Sequence, residues 1–83
     1  MSDQGVVIAF KPSSGRMALR TDDGSFVLAE QTDANPLREG LSLHGNMHAF
    51  GPETWSDEGE QARYEVFVLA WDLSREAVDT EML

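Results

Sequence analysis

GVVIAFKPSSGRMALRTDDGS, residues 5–25, is the stretch on which the fold turns. Gly5 opens a β-rich run, Val6 to Phe10, and Pro12-Ser13-Ser14-Gly15 closes it with residues that favour turns. From Arg16 the chain alternates: Met17 and Leu19 fall on one face, Arg16, Ala18 and Arg20 on the other. Asp22-Asp23-Gly24 then supplies the Asp-Gly pair that suits a tight hairpin, because glycine tolerates positive φ, and Phe26 to Glu30 is the return strand. The loop reads as two residues, Asp23-Gly24, or four, Thr21 to Gly24. Either length puts Leu19 on the side of Phe26 and Leu28, and Ala18 and Arg20 on the side of Val27 and Ala29. The expectation is a core face with Met17 and Leu19, and an outer face without aromatics carrying Arg16, Ala18 and Arg20.

Gln31 to Gly40 is polar, contains Asn35-Pro36 and reads as a connection. Leu41 to Phe50 reads as one strand, with Leu41, Leu43, Gly45, Met47 and Ala49 on one face and Phe50 turned to the other. Gly51 to Glu60 reads as an acidic loop carrying Trp55. Arg63 to Trp71 is the last strand; Tyr64, Val66, Val68 and Ala70 face one way, and Phe67, Leu69 and Trp71 the other. Apolar on both sides, it should be central or covered. Breaks about every ten residues make the class all-β. The architecture expected is a small five-stranded antiparallel barrel over residues 1–72. Residues 73–83 form an acidic tail in which Ser74 can cap one helical turn through Val78, with fraying expected.

The chain has 83 residues, 41% hydrophobic and 25% charged, which is the composition of a globular domain. Its six Lys and Arg face fifteen Asp and Glu, a formal charge of −9. Lys11, Arg16 and Arg20 lie in the first twenty residues with Asp3 as the only acid, whereas residues 21–83 hold three bases against fourteen acids. That balance opposes association with polyanions. There is no cysteine, which excludes disulfides and thiolate chemistry. No apolar run approaches the ~20 residues of a membrane helix, and the N-terminus lacks a signal-peptide pattern, so a cytoplasmic protein without a membrane partner is expected.

At residues 5–25 the chain resembles, without a gap, the first half of a bacterial cold-shock domain: the run to Phe10, the turn, Gly15, the alternating strand and Asp22-Asp23-Gly24-Ser25. Leu37-Arg38-Glu39-Gly40, the following strand and Gly51-Pro52 resemble that family's fourth-strand region. The likeness implies an oligonucleotide-binding type of barrel. It would also imply binding of single-stranded nucleic acid by stacking on exposed aromatics, but those positions depart from the family. Ala9 stands at the first-strand tryptophan, Arg16 and Ala18 at the two phenylalanines of the first motif, and Val27 to Ala29 span the second. Only the neighbouring Phe10 is kept. Each stacked base contributes roughly 1–3 kcal/mol, so their loss removes most of the affinity.

His44 and His48 have the spacing of a helical metal pair, but on a strand they sit about 13 Å apart at ~3.3 Å per residue, too far to share an ion. Ser42 beside His44 lacks an orienting third group and a glycine-rich elbow. Asp57, Glu58, Glu60 and Glu65 lack the spacing of a calcium loop. No catalytic residue, metal or cofactor is therefore expected. The leading expectation is a non-catalytic module that binds a protein partner or itself. Its contact residues are Phe50, Trp55 and Trp71, with Trp55 either folded over a barrel end or exposed as an anchor. The alternative is weak binding of single-stranded RNA or DNA through Phe10, Lys11, Arg16 and Arg20, the bases otherwise pairing with neighbouring acids.

Overall fold

The computed structural model describes residues 3–82; Met1 and Ser2, in the expected barrel domain, and Leu83, in the expected tail, lie outside the described residues. The elements are β1 (Asp3–Lys11), β2 (Arg16–Thr21), β3 (Phe26–Gln31), β4 (Ser42–Gly45), β5 (Gly51–Asp57), β6 (Arg63–Leu73) and α1 (Arg75–Glu81). The strands close a barrel in the order β1-β2-β3-β6-β5-β4, with β4 returning to β1 and every pairing antiparallel. The small antiparallel barrel is as the sequence implies, with six strands instead of five. Among the described residues no helix is long and apolar enough to cross a membrane.

The extra strand is β5. Gly51 to Asp57, expected as loop, pairs along β6 from Gly51 opposite Val68 to Ser56 opposite Arg63. Its single large apolar residue, Trp55, stands opposite Tyr64, is fully buried, and donates its indole N–H to the Asn46 carbonyl at 2.8 Å. The expected strand Leu41–Phe50 accordingly stops at Gly45. There the backbone turns (φ 154°), and a Cβ would come within 2.5 Å of the Trp55 ring. Val7, Met17, Leu19, Val27, Leu43, Met47, Val66 and Val68 complete the interior around Trp55.

The β2–β3 hairpin differs from expectation by one residue. Arg20 pairs with Phe26 and Leu19 with Val27, so the connection is the five residues Thr21 to Ser25. Asp23 builds this longer turn: its carboxylate accepts from the Thr21 hydroxyl and from the Ser25 N–H (3.1 Å) and hydroxyl (2.9 Å). An odd loop reverses the faces. Val27 and Ala29 join Leu19 in the core, and Phe26 and Leu28 move outside with Ala18 and Arg20. The outer face therefore does carry an aromatic, Phe26.

That face is covered. Ser74 caps α1 by accepting from the Ala77 N–H at 3.2 Å, and Val78, 1% exposed, packs on Ala18 and Phe26 with Ile8, Ala9, Leu73 and Met82 around them. Burying Val78 stabilises the docked helix by roughly 1.5–3 kcal/mol. The tail is thus a docked helix, not a frayed turn. Bulges bring its partners outward: Ile8 is the unpaired residue of β1, and two irregularities in β6 turn Ala70 toward Leu28 and Leu73 toward Phe26. They also reset Trp71, which lies half-buried against the main core instead of sharing the face of Phe67.

Candidate partner interface

Among the described residues, Phe50 and Phe67 are the large hydrophobics left in water, 69% and 45% exposed. Phe67 points outward from β6, opposite Pro52 of β5 and Glu30 of β3. Phe50 immediately precedes Gly51, whose partner Val68 follows Phe67, so the two rings bracket one pairing. Phe50 also leans on Trp71, with ring centroids 5.8 Å apart, and His48 meets Trp71 edge-on at 5.2 Å. Two residues along β6 from Phe67, Leu69 enters a groove of about 310 Å³ between the sheet and α1, lined also by Leu28, Leu73, Ala77, Arg16 and Glu81. Exposed aromatics beside an apolar groove are the kind of surface that carries interface energy.

Of the expected contact residues, Phe50 stands free, Trp71 supports it from below, and Trp55 is excluded. Full burial opposite Tyr64 takes Trp55 out of reach of any partner. Alternation put Phe67 on one face with Leu69 and Trp71 and left open which apolar face of the strand is covered; nothing in the sequence said that Trp71 would be drawn inward while Phe67 stayed in water.

The expected nucleic-acid residues are not assembled into one platform. Phe10, opposite Met17, packs against the main core, while Lys11 and Arg16 are outward neighbours and Arg20 lies exposed beyond Ala18. Arg16 lies between Glu30 (3.8 Å) and Glu81 of α1 (3.9 Å), and its Nε–H is buried without an acceptor among the described residues. Ala18, between the two arginines, is shut under Val78. Arg75 lies over the Phe26 ring at 5.8 Å, so even that aromatic is occupied from within the chain.

The titrating groups gather on one side of the aromatic pair. His48 Nδ1 and the Met47 N–H both meet Asp3 Oδ2 at 2.9 Å, and His48 Nε2 stands 4.0 Å from Asp23. The hydrogen bond to Asp3 raises the His48 pKa above 6.5; partial burial opposes this, and the charges of Asp3, Asp23 and Asp72 reinforce it. Burial pushes Asp3 up, but the bonds from His48 and the Met47 N–H, with the histidine's charge, outweigh it and leave Asp3 below 3.8. The Thr21 hydroxyl, followed by the Ser25 donors, lowers Asp23 to about 2. His44 lies apart on β4, its Nε2 at 2.9 Å from the Asp57 carbonyl. Among the described residues no group of three or more His, Asp or Glu is placed to hold a metal ion. No family model, curated protein or solved structure matches this chain.

Proposed function

We propose that the chain is a non-catalytic β-barrel module that binds a protein partner, or a second copy of itself, through Phe50, Phe67 and the groove beside Leu69. The observation that carries this reading is the exposure of Phe50 (69%), just before β5, and of Phe67 (45%) on β6, next to Val68, the partner of Gly51, while the interior of the barrel is filled without them. Each ring would contribute roughly 1.5–3 kcal/mol on full burial, enough for two such anchors to dominate a small interface. Binding of single-stranded nucleic acid has weaker support: the outer face of β1–β3 is occupied by α1, and Arg16 is flanked by two carboxylates.

Site-specific placement of a benzophenone side chain at Phe50, followed by irradiation in the protein's own cell extract, tests the reading. A discrete adduct is expected, to one protein or to a second copy, and Phe67→Ser should abolish it. Diffuse labelling insensitive to Phe67→Ser, together with a monomer by light scattering at all concentrations, would overturn it.

A further inference from the structure

The β4–β5 connection, residues 46–50, carries Phe50 and is held to the rest of the barrel by few polar contacts. Asn46 receives the Trp55 indole N–H, and the Met47 N–H and His48 ring both bind one oxygen of Asp3 on β1. Two residues later Phe50 rests on Trp71, the same ring that His48 touches. His48 therefore joins three parts of the molecule: β1 through Asp3, the β2–β3 turn through Asp23, and the aromatic pair through Trp71.

The charges around it are one-sided. The small cavity beside His48 is lined by Asp3, Gln4, Thr21, Asp22 and Asp23, and Asp72 of β6 adds its charge from the side of Trp71. No Lys or Arg lines that cavity. Among the described residues, the protonated imidazole is the one cation set among these carboxylates. Without the proton they lose that compensation, and a neutral ring keeps at most its single bond to Asp3.

We propose that His48 is a proton-operated latch on the β4–β5 connection: as imidazolium, it pins residues 46–50 to Asp3 and Asp23 and sets Phe50 on Trp71, and loss of the proton loosens the segment. That the latch tunes binding rests on the interface reading above; the latch itself does not. A histidine whose folded pKa is raised stabilises fully below 6.5, and that stabilisation is lost as pH rises through the folded value. The latch is thus closed in mild acid and opens on the alkaline side of 6.5.

NMR on the full chain between pH 5 and 8.5 reads both halves, following the His48 ring resonances and the protection of the Met47 amide, whose N–H is bound to Asp3. His48 should titrate above 6.5, and Met47 protection should fall across the same midpoint, by up to about tenfold per pH unit of elevation. His48→Gln should flatten that fall. Asp72→Asn, at a residue with φ 57° that asparagine also accepts, should lower the His48 midpoint without disturbing the Asp3 bond, which keeps the test available if His48→Gln does not fold. Met47 protection that stays constant through the His48 titration, or that falls equally in His48→Gln, overturns the latch. Crosslinking from position 50 should weaken over the same pH range. Unchanged crosslinking while Met47 loosens overturns the coupling to binding. A Met47 transition with no adduct at any pH supports the latch and removes the interface reading alone.

Discussion

At position 45 any side chain larger than hydrogen meets the indole that fills the barrel: a Cβ would lie 2.5 Å from Trp55 Cδ1 and 3.1 Å from the Thr54 carbonyl oxygen. Gly45→Ala should therefore destabilise by about 1–3 kcal/mol, the usual range for overpacking, and appear as a lower urea midpoint with unchanged slope. An unchanged midpoint would mean that Trp55 is not seated against β4. Asp23 gives a second test at this scale. Its pKa, lowered to about 2 from 3.8, contributes stability that is present above 3.8 and is lost as pH falls toward about 2. Asp23→Asn should lower stability near neutrality and flatten the acid limb of the stability curve between pH 4 and 2; an acid limb as steep as that of the parent protein would count against the turn described. Alternation told correctly which way Met17, Leu19 and the two arginines point. It also put Ala18 on the outer face correctly but left it in water, because a residue's outward direction says nothing about what lies above it, here Val78 of α1.

Elements differ in how much of their identity is local. β1, β2, β3 and β6 carry apolar alternation or runs, and their existence was legible; β5 carries Trp55 among Gly, Pro, Glu, Thr, Ser and Asp, a composition typical of loops. Its strand character comes from partners on both sides, β4 and β6, which no local window contains. α1 is similar: seven residues are marginal as an isolated helix, and it holds because Val78 meets an apolar patch prepared by Ala18, Phe26 and the β1 and β6 bulges. Val78→Asp should undock it, since a buried unpaired carboxylate costs far more than a short helix gains. The expected outcome is lost helical signal and new binding of an apolar dye, with the barrel still unfolding cooperatively. Ser74→Ala should cost less, about 1 kcal/mol. Retained helix signal in Val78→Asp would show that α1 does not depend on this contact.

At the scale of the whole molecule, charge and covering act together. The formal charge is −9, the outer face of β1–β3 is closed by α1, and Arg16 is shared between Glu30 and Glu81. Labelled single-stranded RNA or DNA should bind no tighter than micromolar at ~0.15 M salt, where the Debye length is ~8 Å. Sub-micromolar binding that weakens in Arg16→Ala and Arg20→Ala, with a shallower salt slope, would put the nucleic-acid reading ahead of the proposed one. The strand count also belongs to this scale. A closed ring in which every neighbour runs antiparallel needs an even number of strands, so five cannot close without one parallel pair. The sixth strand goes with all-antiparallel closure, a property of the whole ring that residues 51–57 alone do not display.

Read alone, the amino-acid order determined the all-β class, the first hairpin's strands, the inward direction of Met17 and Leu19 and the acidic surface, because these depend on neighbours within a few residues and on total charge. The parity of the β2–β3 loop is also local, set by the three donors that Asp23 gathers within its own turn, but it needs side-chain hydrogen bonds that the Asp-Gly pattern does not display. Tertiary structure alone decided the strand at 51–57, the burial of Trp55, the inward turn of Trp71 and the docking of α1. Each of these depends on which groups distant parts of the chain bring together: the bulges set the phase of β6, and closure gives Gly51–Asp57 a partner on each edge. Phe50 and Phe67 remain outside for the same reason: the closed barrel has one interior, and Trp55 together with the aliphatic residues around it already fills that volume.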